Sequence, residues 1–174
     1  MKKEDFIKEF EKRFNLKLEK TNEIRDAKKV YFFEKNEESS KCYFYIKESN
    51  IDEPFWGFTD TIISRLEETK LPYFLVLLSN ENNYCFSSEK VIELRQNLSY
   101  SPTGNEKGEF KLTLPYLNDY DNCKLNFDIL RIQIVSSKEI LATKEDIIRD
   151  KCQVIADIVN HLSKKHSKYS EITR

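Results

Sequence analysis

Six apolar residues without a break, Tyr73-Phe74-Leu75-Val76-Leu77-Leu78, limit what this chain can become more than any other stretch. The run is too short for a membrane span, which takes roughly 18 apolar residues or more. Its lack of alternation marks a strand covered on both faces. Leu71-Pro72 sets its start, because a residue before proline is pushed out of the helical region. Ahead of it, Ile62, Ile63 and Leu66 share one face of a helix over residues 61–69, which Thr59 or Asp60 can cap. Pro54-Phe55-Trp56-Gly57 breaks the chain before that helix. Cys42-Tyr43-Phe44-Tyr45-Ile46, earlier still, is an aromatic and β-branched run that fits a pleated, half-buried surface. Strand, helix, strand is the frame.

The rest of the chain is laid around this frame. Phe6, Phe10 and Phe14 recur every four residues with Ile7 beside them, which predicts a first helix over residues 4–18. Two strands, 29–35 and 41–47, flank the polar link 36–40 and form an antiparallel hairpin. Large side chains on both faces of each strand predict a sheet covered on both sides. Tyr84-Cys85-Phe86 returns beside the buried strand, and Ser87 or Ser88 caps a helix through Val91, Ile92 and Arg95. Residues 101–108 are the most loop-like segment. Phe110, Leu112 and Leu114 alternate with polar residues in a strand ended by Pro115, and residues 116–122 read as a polar turn. Residues 125–135 fit either one bulged strand or two elements, because their alternation changes phase at Ile129-Leu130. A long C-terminal helix starts at Thr143 and carries Ile148, Cys152, Ile155, Val159 and Leu162 on one stripe. That stripe packs on the domain or forms a homodimer seam. The expected architecture is one α/β domain, residues 1–174, with a mixed and mostly antiparallel sheet flanked by helices on both faces.

Composition removes several chemistries. The 29 Lys and Arg residues nearly cancel the 30 Asp and Glu residues, so any nucleic-acid binding must come from a local patch. The charged start Met1-Lys2-Lys3-Glu4-Asp5 leads into no signal-peptide core, and a cytoplasmic chain without a membrane segment is expected. Cys42, Cys85, Cys123 and Cys152 lack the close pairing of zinc sites and are expected to be reduced and buried. Three glycines cannot build the usual phosphate-cradling loops. His161 and His166 do not share a helix face, so they offer no two-histidine metal site. The acidic turn 118–122 lacks the glycine and the bidentate glutamate of a calcium loop. Magnesium-assisted phosphodiester hydrolysis survives these exclusions, since it needs two or three carboxylates and a lysine near the attacking water.

The element order (helix, hairpin, helix, buried strand) is similar to the core of restriction-endonuclease-like proteins, the PD-(D/E)XK superfamily. The resemblance covers about the first 80 residues. In that family an acid lies near the start of one strand, and the next strand carries acid-x-lysine. Lys47 stands at the lysine position and Asp26 is the nearest candidate for the first acid. Tyr45 stands where the second acid belongs. A phenol is neutral at pH 7 and a poor magnesium ligand, so Glu34 or Glu48 would have to substitute. The resemblance implies a DNA-directed nuclease, or a catalytically dead relative, of the kind found in restriction and phage defence. Its magnesium ion would be held by Asp26 with Glu34 or Glu48, and Lys47 would orient water.

Two non-catalytic readings stand beside it. Tyr31, Tyr43 and Tyr45 with Lys35 and Lys47 could make a basic, aromatic sheet face on which bases stack. A protein-interaction module would instead use Pro54-Phe55-Trp56 as an exposed anchor.

Overall fold

Phenylalanine spacing decides the first layer. In the computed structural model, which describes residues 1–24, 29–34, 41–97, 100–101, 108–137 and 155–156, helix α1 spans Lys3–Phe14 and buries Phe6 and Phe10. Glu4 and Asp5 lie in its first turn and Lys12 and Arg13 in its last, matching the helix dipole at both ends. It stops earlier than the sequence suggests because Asn15 turns left-handed (φ 52°), a conformation asparagine tolerates. The chain then forms the two-residue strand β1, Glu19–Lys20.

Strands β2 (Val30–Glu34) and β3 (Lys41–Glu48) pair antiparallel, with Val30 opposite Tyr45 and Glu34 opposite Lys41. Strand β4, Phe55–Thr59, follows where a chain break was expected. Trp56 and Phe58 are buried there, while the intervening Gly57 is half-buried. Helix α2, Asp60–Glu68, buries Ile62, Ile63 and Leu66. It returns the chain to β5, Tyr73–Leu78, every residue of which is buried. β5 runs parallel to β3, and β6 (Tyr84–Ser87) runs antiparallel to β5. The five-stranded order is β1-β2-β3-β5-β6, one parallel junction in an otherwise antiparallel sheet. The mixed α/β class read from the sequence is what the chain adopts.

Helix α3 (Ser88–Asn97) and the short strands β7 (Tyr100–Ser101) and β8 (Glu109–Thr113) come next. β4, β8 and β7 make a second, three-stranded sheet. Helix α4 (Leu114–Leu117), with Pro115 near its start, and a 3-10 turn at Asn118–Cys123 occupy what was read as a plain turn.

Residues 125–135 prove to be neither a bulged strand nor two elements. Residues 127–135 belong to helix α5, Phe127–Ser137, whose buried residues Phe127, Leu130 and Ile134 follow helical spacing, and residues 125–126 lead into it. Asn126 Oδ1 accepts the N–H groups of Asp128 (2.9 Å) and Ile129 (3.2 Å), a helix cap that settles the ambiguity.

By its internal contacts the chain divides into two compact units, Met1–Arg131 and Ile132–Arg174. In the second, only the end of α5 and the helical pair Ile155–Ala156 are described. The expected C-terminal helix from Thr143 otherwise lies outside the described residues, as does Cys152. Among the described residues no helix is long and apolar enough to cross a membrane.

The two faces of the large sheet are packed differently. On one, Phe44 meets Phe6 (6.3 Å between ring centroids), Phe10 (5.1 Å, edge-on) and Phe74 (5.4 Å, stacked). On the other, Tyr43, Tyr45, Leu75 and Leu77 join Trp56, Phe58 and the apolar stripe of α2 in one core cluster. Cys42, Cys85 and Cys123 are buried.

Candidate functional site

Alternation along β3 decides what can meet Lys47. Successive strand residues point to opposite faces, so Tyr43, Tyr45 and Lys47 share the α2 face, whereas Phe44, Ile46 and Glu48 share the α1 face. Glu48 acts on Lys3 of α1, in keeping with that placement. Glu34 opposes Lys41, six residues before Lys47, which puts it about 20 Å away at the far end of the strand. The carboxyl groups of Glu34 and Glu48 therefore do not converge on Lys47. Asp26 lies outside the described residues.

Lys47 itself is not the solubilising lysine of a sheet edge, because β3 lies between β2 and β5. It pairs with Leu77, near the carboxyl ends of the parallel strands, where open α/β sheets place their ligand crevices. Its side chain is half-buried, with the ammonium 5.5 Å from the centroid of the Tyr45 ring. Burial pulls its pKa below the usual lysine range, and the Glu109 carboxylate partly opposes that pull. Among the described residues Lys47 makes no ion pair.

Tyr45 fills the position where the resemblance calls for an acid. It is 4% exposed, and burial raises its pKa. Interaction with Thr59 partly opposes that rise. Thr59 stands at the N-cap position of α2 and makes no side-chain cap there. Tyr43 is equally buried and donates its hydroxyl to Glu23 Oε2 at 2.7 Å. Neither ring is available as an exposed stacking platform. Tyr31 pairs with Phe44 on the opposite face, and Lys35 lies outside the described residues.

Glu109 is the residue that local sequence reasoning passed over. It sits at the start of β8 opposite Thr59, far along the chain from Lys47. Pairing of β4 with β8 carries it to the site, and Gly57 makes room for it: a Cβ there would stand 3.3 Å from Glu109 Oε2. Its only local signal was the polar alternation of Glu109, Lys111 and Thr113 against Phe110 and Leu112.

The strand end is held in place by a shared acceptor. Leu78 O receives both the backbone N–H of Ser49 (2.9 Å) and the indole N–H of Trp56 (2.8 Å), so the loop after β3 is closed at both ends. Trp56, expected as an exposed anchor, is 1% exposed and lies edge-on to Tyr84 at 6.3 Å.

Of the expected magnesium ligands, Asp26 with Glu34 or Glu48, Asp26 lies outside the described residues. Glu109 is the carboxylate acting on Lys47, and among the described residues no group of three His, Cys, Asp or Glu side chains could hold a metal ion.

No family model and no curated protein matches this chain. Among solved structures, the chain is similar to Archaeoglobus fulgidus Hjc, a Holliday junction resolvase from an archaeal hyperthermophile. The likeness has a TM-score of 0.43 and 10% sequence identity, and covers 73% of this chain and 89% of that one.

Proposed function

We propose that this chain is a DNA-directed protein of nuclease-like architecture that engages a backbone phosphate at Lys47. The observation that carries the reading is a half-buried ammonium that makes no ion pair among the described residues, set at the carboxyl end of a parallel strand pair. An ammonium partly stripped of water and without an ion-pair partner among the described residues gains one in a phosphate oxygen. Binding is the role these side chains support. Magnesium-dependent cleavage would require Asp26, which lies outside the described residues.

The test is titration of the full chain into end-labelled duplex DNA at several salt concentrations. Binding should weaken steeply with salt, and Lys47→Ala should lose roughly fivefold to tenfold in affinity and about one unit of salt slope. Salt-insensitive binding, or a variant that binds like the parent, would remove Lys47 from the interface. Plasmid incubated with magnesium and then with chelator tests hydrolysis. Magnesium-dependent nicking that Lys47→Ala abolishes would replace the binding role with a catalytic one.

A further inference from the structure

A separate recess lies on the α1 side of the large sheet, the face opposite to Lys47. It opens beside the turn that follows β5, at the carboxyl end of the parallel strand pair. Its volume, about 610 Å³, is that of a small-molecule site. Asp5, Glu9 and Arg13, spaced by four on α1, share one stripe and form the first wall. Glu81, in the turn between β5 and β6, belongs to the second wall. Lys124, Leu125 and Phe127, at the entry to α5, form the third. Asn83 O accepts the Leu125 N–H at 2.8 Å, which ties the second wall to the third. Phe127 stacks on Phe6 at 5.6 Å between ring centroids, so the apolar part of the lining is anchored in the core.

The positive groups of this recess are already engaged. Arg13 bonds to Glu9, lies 3.8 Å from Asp128 and stands 5.1 Å from the Phe127 ring centroid. Lys124 pairs with Asp121 at 2.9 Å, and the Met1 amino group donates to Ser79 O and Asn80 O. The carboxylates of Asp5 and Glu81, by contrast, enter no hydrogen bond or ion pair among the described residues. Asp5, Glu9, Glu81, Asp121 and Asp128 outnumber the cations around the recess, so it repels phosphate and attracts positive charge. We propose that it takes an alkylammonium group, with the ammonium met by Asp5 and Glu81 and the methylene stem lying on Leu125 and Phe127. The ammonium makes charge-assisted hydrogen bonds to the carboxylates, and the stem adds apolar burial. Asp5 and Glu81 are exposed, so the binding is of moderate strength and sensitive to salt. A free diamine and the lysine side chain of a protein both carry this chemistry. The DNA reading of Lys47 plays no part in it.

The experiment is calorimetric titration of the full chain, without DNA, with putrescine and separately with N-acetyl-lysine methylamide at low salt. At least one probe should saturate a single site and weaken as salt is added. Asp5→Asn and Glu81→Gln should each lose roughly threefold to tenfold in affinity, and the double variant more than about tenfold. Asp52→Asn removes an exposed carboxylate from a different loop and should bind like the parent. Ammonium chloride, which has no stem, should compete at least about tenfold more weakly than the better probe. Tighter binding of putrescine supports a free diamine as the ligand, and tighter binding of the lysine derivative supports a protein side chain. The proposal is overturned if neither probe saturates, or if the double variant binds like the parent. Equal loss in Asp52→Asn, or competition by ammonium as strong as by the stem-bearing probes, would overturn it too. Thermal unfolding of each variant confirms that the folded protein is being titrated, since Asp5 also favours the first turn of α1.

Discussion

The two faces of β3 are built from side chains of nearly equal bulk and do different work. Cys42, Phe44 and Ile46 share the α1 side, where Phe44 meets Phe6 and Phe10. Tyr43, Tyr45 and Lys47 face the α2 side and carry a polar atom at the tip of each side chain. Tyr43 reaches Glu23, Tyr45 reaches Thr59, and Lys47 feels Glu109. One face is a stack of rings whose function is cohesion. The other buries comparable rings but leads its polar tips to fixed partners, and at its end leaves one charge incompletely matched. The largest test of this contrast is Phe44→Ala. Phe44 is fully buried among Phe6, Phe10, Phe33 and Phe74, and its loss should cost about 3–5 kcal/mol, read from the urea midpoint at unchanged slope.

Tyr45→Phe probes the opposite face at the neighbouring residue. The ring remains, so only the interaction of its hydroxyl with Thr59 is lost, and the expected cost is about 1–2 kcal/mol. Equal costs for Phe44→Ala and Tyr45→Phe would break the comparison, because the two faces would then be held together in the same way. A near-zero cost for Tyr45→Phe would mean that Thr59 simply reverts to capping α2.

How far each face could be read from sequence follows the same division. The ring stack was legible because its spacing is local: Phe6 and Phe10 repeat within one helix, and β5 is six apolar residues in a row. β4 was not, since Pro54 and Gly57 look like breakers. Pro54 lies just outside the strand, and Gly57 is tolerated within it because the Glu109 carboxylate fills the space of its missing side chain. α5 was misread because its β-branched residues suit a strand, while the deciding signal was the single capping residue Asn126. At the candidate site, the resemblance pointed to Lys47 from its position at a strand end. Glu48 was drawn in by adjacency, and adjacency on a strand is what separates two side chains. Glu109 depends on two strands meeting across the fold, which no short window of sequence records.

Phenols on the polar face give a smaller effect with a definite sign. Burial raises the Tyr43 pKa, and its bond to Glu23 raises it further. A group whose folded pKa lies above its unfolded value, near 10 for tyrosine, contributes stability that is fully present below about pH 10. That contribution is lost as pH climbs towards the folded value. The fall cannot exceed about 1.4 kcal/mol per pH unit for one phenol. Tyr43→Phe should therefore flatten the loss of stability between about pH 10 and 11.5, measured by urea unfolding at each pH. An unchanged slope would place the alkaline sensitivity on other buried phenols, such as Tyr73, which burial also raises.

The smallest effect is the one that separates function from packing. Burial lowers the Lys47 pKa, so between its folded value and about 10.4 the unfolded chain binds more protons and stability rises with pH. At pH 7 the half-buried ammonium therefore works against folding. Lys47→Met keeps most of the stem that packs beside Tyr45 and removes the charge. It should leave stability unchanged or raise it by roughly 0.5 kcal/mol, while DNA binding falls as it does for Lys47→Ala. Opposite signs in stability and affinity are what a residue kept for a ligand produces. If Lys47→Met instead destabilised the fold, the lysine would be contributing to the core in the manner of Phe44, and the polar face would lose its claim to be a site.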